Sequence, residues 1–287
     1  MLISKKHSIL AHLGLFYAAA VWGSTFFMIR DAVANTNPLI VTSYRFLISA
    51  ILLGGYLILK KSQIWSNLKY GLALSFLVFI IYVAQAVGLQ FTSAANSGFI
   101  TGLFVAFVPF FSWIVYKKKP ELNKFLAVFV AVVGLWFLTG GFGQLNFGDV
   151  ITLLTAVAYG LHVLLLGLFV RKIDPVILAF QQFLFTGLFC LIVALFTHAS
   201  FAIPTNNSLL IVFYLAIIPT LSALVIQAFS QRYVAEIKAA VIMSFEPVFA
   251  AIFAWTIGGE IFSIQKALGG LLIFFAMIIS EFKFKKL

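Results

Sequence analysis

Ten apolar stretches, each about as long as a hydrocarbon core is thick and almost free of charge, run through this 287-residue chain. They fall at residues 10–29, 40–59, 68–89, 97–116, 123–139, 149–170, 176–197, 208–230, 238–257 and 265–281. Ten helices of about 20 residues use roughly 200 positions, which leaves short connections and no room for a soluble domain. Charged residues make up only 9% of the chain, whereas a water-soluble surface needs about a quarter. An ordinary soluble enzyme is thereby excluded, and the chain reads as an all-α integral membrane protein of ten transmembrane helices. The stretches stop at turn-forming clusters, among them Asn35-Thr36-Asn37-Pro38, Gly140-Gly141-Phe142-Gly143 and Pro204-Thr205-Asn206-Asn207.

The charges that remain orient these spans. A net charge of +11 would point to nucleic acid in a soluble protein, but here the basic residues lie between apolar runs, so no nucleic-acid partner is expected. With ten spans both termini share one side of the bilayer. Sixteen of the nineteen Lys and Arg fall on that side, from Lys5-Lys6 through Lys117-Lys118-Lys119 to Lys285-Lys286. Only Arg30 and Lys266 face the other way, and Arg45 lies inside the second span. The excess of positive charge on the inner face predicts a multi-pass cytoplasmic (inner) membrane protein with both termini in the cytoplasm. The start imitates a secretion signal, with Lys5-Lys6, an apolar run and Ala18-Ala19-Ala20, yet the run continues nine residues past Ala20. A retained first helix is expected.

The second half of the chain repeats the first. At an offset of 137 residues, Trp22-Gly23 pairs with Tyr159-Gly160, Pro38 with Pro175 and Phe46 with Phe183. Pro109 pairs with Pro247 at 138, and Glu121 with Glu260 at 139, the drift that small loop insertions produce. Two units are expected, residues 1–143 and 144–287. Each holds five spans, an odd number, so the second enters the membrane from the opposite side. Such an inverted repeat is the architecture of alternating access, with a substrate site near the midplane between the units.

Polar groups inside a span cost on the order of 2.5 to 3.5 kcal/mol when ionised at the bilayer centre, so each needs a partner or a cavity. Glu246 lies eight residues into the ninth span, directly before Pro247, whose missing N–H frees the carbonyl of Met243. A cation, proton or amine site is one reading of it, and a carboxylate held by a neighbouring helix the other. Arg45, about 8 Å into the second span at 1.5 Å per residue, is a candidate anion contact, or else a side chain that snorkels or pairs with a helix. His162, with a reference pKa near 6.5, has the chemistry of a proton carrier as well as that of a core histidine. Trp22, Tyr82 and Tyr159 offer an aromatic wall, and Thr25, Gln85, Asn96, Gln227 and Ser244 offer uncharged polar contacts. Gln85 and Gln227 occupy matching spans of the two units. Gly98 and Gly102, Ala250 and Ala254, and Gly269-Gly270 let helix backbones approach closely. The single cysteine, Cys190, sits in an apolar run as a core thiol, and without an HExxH pattern or clustered acids neither a metal nor a cofactor is expected.

The same segments resemble the EamA family of the drug/metabolite transporter superfamily. The resemblance is carried by Val21-Trp22-Gly23-Ser24-Thr25-Phe26, by Pro38 with Arg45-Phe46, and by the string from Gly88 to Gly102 that leads to Val108-Pro109. In the second half it is carried by Phe245-Glu246-Pro247-Val248-Phe249-Ala250, Gly259-Glu260 and Gly269. It covers essentially the whole chain. It implies ten helices, cytoplasmic termini, and a central cavity lined by spans one, three, four, six, eight and nine. It also implies export or uptake of small metabolites such as amino acids. One departure is that the fifth span lacks some glycines of its counterpart.

Together these features predict a secondary transporter moving a small organic metabolite by alternating access, with Glu246 as the charged anchor and proton coupling through Glu246 or His162. ATP coupling is disfavoured because no GxxxxGK[ST] is present. The rivals are a passive facilitator or channel and a lipid-modifying membrane enzyme. The latter usually groups several His, Asp or Glu at one membrane face, whereas the four His here are scattered.

Overall fold

The computed structural model describes residues 5–117, 122–139 and 145–281. Among them all regular structure is helical, without a strand. Eight helices are long and apolar enough to cross a membrane: α1 (His7–Val33), α2 (Pro38–Leu59), α3 (Leu68–Gly88), α4 (Ala94–Tyr116), α6 (Phe147–Phe169), α7 (Pro175–Phe196), α8 (Asn206–Tyr233) and α9 (Glu236–Thr256). The remaining two, α5 (Leu122–Thr139) and α10 (Ile264–Glu281), carry shorter apolar stretches, Leu126–Leu138 and Ile264–Ala276. These are the ten spans of the sequence, with ends shifted by a few residues. The boundary expected at 143/144, the turn at Gly140–Gly143, Glu121 and the terminal lysines lie outside the described residues.

Local sequence starts these helices where the chain turns. Pro38 and Pro175 occupy the first turns of α2 and α7, where a missing N–H costs nothing. The carboxamide of Asn37 and the carboxylate of Asp174 cap them, accepting from the N–H of Leu39 at 2.9 Å and of Val176 at 2.8 Å. At the start of α6, Asn146 and Asp149 form a reciprocal capping box. Asp149 also accepts from the Thr92 hydroxyl at 2.5 Å, tying the α3–α4 turn to that helix end.

Helices of the two halves interleave. α2 packs on α7, α3 on α6 and α7, α1 on α8 and α9, and α4 on α6 and α9. α5 and α10 form a pair of their own. There a side chain at Gly134 would meet the Gly269 carbonyl at 2.8 Å, so the one glycine α5 does carry sets its approach to α10.

Four of the helices are irregular. α1 is interrupted at Ser24, α4 at Leu103 and α9 at Ser244–Phe245, while α8 winds as a π-helix from Ala216 to Ser222 around Pro219. The sequence singles out Pro109 and Pro247 as shaping α4 and α9. Pro247 does so from the first turn of the second half of α9. Pro109 instead stays within a helical segment, Phe104–Tyr116, and the break falls before it, among the small residues that end at Gly102. In α8, Pro219 cannot donate, and the Thr220 hydroxyl bonds the Leu215 carbonyl at 2.7 Å in its place. Two further carbonyls of this turn are taken by other helices: Ala216 by the Ser49 hydroxyl at 2.7 Å and Pro219 by the Trp22 indole N–H at 2.8 Å.

Helix ends gather on two faces, each joined by an ion pair. On the face opposite the chain termini, Arg30 of α1 pairs with Glu260, which follows α9, and also donates to the Gly258 carbonyl at 2.7 Å. The Glu260 carboxylate accepts from the N–H groups of Ala94 and Ala95 at 2.5 and 3.3 Å, capping α4. On the termini's face, Arg171 after α6 meets Glu236 at the start of α9 at 2.7 Å.

Candidate functional site

Where the irregular helices converge, they leave a cavity of about 30 Å³ in the middle of the bundle. Its wall is built by Trp22 and Thr25 of α1, Val78, Ile81, Tyr82 and Gln85 of α3, Thr101 of α4, Tyr159 and His162 of α6, Leu224 and Gln227 of α8, and Glu246 of α9. Such a volume holds about one or two waters, far below the size of a metabolite.

Glu246 is 3% exposed and stands in the first turn of the second half of α9, where the unpaired N–H groups of a helix start favour a carboxylate. Tyr159 donates its hydroxyl to Glu246 Oε2 at 3.3 Å. Among the described residues no cationic side chain lies within 4.0 Å of that carboxylate. The helix break that positions it is packed tightly: a Cβ at Gly23 would come within 2.7 Å of the Glu246 carbonyl and 2.9 Å of the Ala250 N, so α1 touches α9 backbone to backbone. Across the cavity, His162 Nε2 lies 2.7 Å from Gln182 Oε1, and the Gln182 amide donates to the Leu178 carbonyl at 3.1 Å. Gln227 directs its amide nitrogen to Met243 Sδ at 3.5 Å.

The aromatic wall is interlocked. Trp22 meets Tyr159 edge-on with ring centroids 6.2 Å apart, and Phe104 packs on Tyr159 at 4.2 Å. Arg45 is buried rather than snorkelling. Its Nε donates to the Thr220 hydroxyl at 2.9 Å, and its guanidinium lies 4.7 Å from the centre of the Tyr82 ring, outside the cavity wall.

Eight of the ten residues expected around a substrate, Trp22, Thr25, Tyr82, Gln85, Tyr159, His162, Gln227 and Glu246, share this one cavity. Asn96 and Ser244 do not. Asn96 sits in the first turn of α4 near the Glu260 cap, and Ser244 turns its hydroxyl back to the Val241 carbonyl at 2.5 Å. Thr101 is the polar wall residue that reading the sequence for charged and amide groups passes over, although it lies one turn after Ser97. Cys190 is buried, as expected of a core thiol. Among the described residues no three His, Cys, Asp or Glu are grouped as a metal site would require.

Known proteins resemble the chain over nearly its whole length. The profile of the EamA-like transporter family matches twice, at residues 9–140 and 146–282. An uncharacterized transporter of Archaeoglobus fulgidus is 34% identical over 94% of this chain and 85% of its own length. YedA of Escherichia coli K12, an uncharacterized inner membrane transporter, is 25% identical over 94% of this chain and 90% of its own. The uncharacterized transporter YoaV of Bacillus subtilis is 22% identical over 96% and 97%. A solved crystal structure superposes with a TM-score of 0.71 over 94% of this chain and 96% of that one at 17% identity, a likeness of fold.

Proposed function

Because this multi-pass membrane chain belongs to the EamA-like transporter family, we propose that it is a secondary carrier. It moves a small organic metabolite across the inner membrane by exposing one central site to each face in turn. The observation that carries this reading is the cavity itself: six helices, three from each half, enclose a buried carboxylate, an imidazole and two amides at the middle of the bundle. The two matches to one family profile support two five-helix units, 1–143 and 144–287, and the odd span number supports their inversion. The distribution of Lys and Arg supports cytoplasmic termini. On that orientation the Arg30–Glu260 pair closes the outer face and the Arg171–Glu236 pair the inner one.

Export and import are the same cycle run in opposite directions, and amino acids are among the candidate solutes. A proton exchanged at Glu246 or His162 would drive it. Substrate-dependent proton flux in proteoliposomes should then disappear when Glu246→Gln and His162→Ala are combined, and its survival would remove that assignment.

The carrier reading is tested by labelling. Thr101→Cys, placed in the cavity wall on a Cys190→Ala background, is treated with a membrane-impermeant maleimide in right-side-out and inverted vesicles. Alternating access predicts modification from both sides, with loss from the outer side only when Arg30→Cys and Glu260→Cys are cross-linked before labelling. Modification confined to one side argues against a carrier, and modification from both sides that ignores the cross-link indicates a passive channel.

A further inference from the structure

The hydrogen-bonding groups of the cavity are unequally engaged. Several donors are held inside the protein: the Trp22 N–H by the Pro219 carbonyl, the Thr25 hydroxyl by the Trp22 carbonyl at 2.7 Å, and the Tyr159 hydroxyl by Glu246. Two acceptors are left over, as are three groups that can donate, the Thr101 and Tyr82 hydroxyls and the Gln85 amide, which have no hydrogen-bond partner among the described residues. A backbone carbonyl only accepts, so the Gln182 NH₂ must face Leu178, and its oxygen then faces His162 Nε2. This places the proton of the neutral imidazole on Nε2 and leaves Nδ1, buried and without a protein donor, as a bare acceptor. The Met243 thioether has no hydrogen to give, so the Gln227 NH₂ must face it, and Gln227 Oε1 is likewise buried without a donor. Glu246 receives one long hydrogen bond and no cationic partner among the described residues.

Among the described residues no Lys or Arg lines the cavity. The Arg45 guanidinium lies against the ring of the wall residue Tyr82 and is engaged with Thr220. A buried carboxylate together with two bare acceptors matches a ligand that carries N–H donors and a positive charge. A second carboxylate brought to the same wall would find neutral donors in Thr101, Tyr82 and Gln85 but would face the like charge of Glu246, with no fixed cation among the described wall residues to offset its lost hydration.

We propose that the cavity selects organic amines: solutes with an ammonium group and no carboxylate, whose N–H groups bond Glu246, His162 Nδ1 and Gln227 Oε1 while the carbon frame lies against Trp22 and Tyr82. This narrows the carrier reading to amines, setting aside the amino acids among its candidate solutes, and rests on the same cavity opening to admit the solute.

The test uses ligands that differ only in their charged groups. Thermal unfolding of the purified full-length protein is followed with tyramine, tyrosine and 3-(4-hydroxyphenyl)propionate, and with the smaller set isobutylamine, valine and isovalerate. A ligand that binds the folded form raises the midpoint in a saturable way up to about 10 mM. The amine of at least one set is expected to raise it, and its zwitterion and acid are not. Gln227→Leu should weaken the amine about tenfold, and Glu246→Gln should abolish its effect. The wild-type ligand comparison needs no variant, so it stands if Glu246→Gln fails to fold. The proposal is overturned if a zwitterion or acid stabilises as well as its amine, if neither amine acts, or if a folded Glu246→Gln still responds. These outcomes are separable from the labelling of Thr101→Cys: two-sided labelling with the wrong ligand class leaves the carrier standing, and one-sided labelling removes the carrier whatever binds.

Discussion

At the scale of single residues, the cavity depends on side chains that are fixed by groups not themselves in its wall. Gln182 orients His162, and Thr220 both replaces the donor Pro219 lacks and accepts from Arg45. Gln182→Leu should leave the imidazole N–H unsatisfied and cost about 1 to 3 kcal/mol. Thr220→Val keeps the volume but strands two groups, the Leu215 carbonyl and Arg45 Nε, so it should lower the unfolding midpoint further than Gln182→Leu does. Thermal denaturation of both variants in one detergent checks the order. Glu246, His162 and Gln227 are legible in the sequence because an ionisable or amide group in an apolar run has few ways to be satisfied. Ser244 and Asn96 are not placed by the same logic, because a hydroxyl can bond its own helix backbone and an amide near a helix start can sit among capping groups.

At the scale of elements, broken helices position the site, and the breaks are only partly written in the sequence. Pro247 marks the restart of α9 and so announces where Glu246 meets a helix start. The break at Leu103 has no proline or charge to mark it, and the π-turn at Pro219 depends on tertiary partners, Ser49 and Trp22, that no local pattern reveals. Gly23 is the point at which the α1 break is packed against the α9 break. A methyl group there meets two backbone atoms of α9, the Glu246 carbonyl and the Ala250 N, that cannot rotate away. Gly23→Ala should therefore destabilise the protein by about 1 to 3 kcal/mol, seen as a lower melting midpoint, whereas Gly55→Ala, with open space around it, should leave the midpoint nearly unchanged.

At the scale of the whole molecule, ten spans, their alternation and the doubling of the chain follow from apolar runs, charge placement and ordered pairs of residues. Which helices touch across the halves does not, because lipid-facing and helix-facing surfaces are equally apolar and periodicity cannot separate them. The small cavity, with ion pairs on both faces, gives the proposed balance between inward- and outward-open states a specific handle. Glu260 joins α1, α4 and the end of α9 through one carboxylate, whereas Arg30 joins only two of these. Glu260→Ala should therefore raise outer-side maleimide labelling of Thr101→Cys more than Arg30→Ala does, with labelling rates in right-side-out vesicles as the measure. The π-turn of α8 has a mechanical counterpart. Trp22, Arg45 and Ser49 all fasten to it, so α1 and α2 are riveted to a helix from the other half of the chain. Tilting any one of the three must carry the others along. In the carrier proposed above, the body that swings would thus be assembled from both halves, with its seam elsewhere than the midpoint of the gene product.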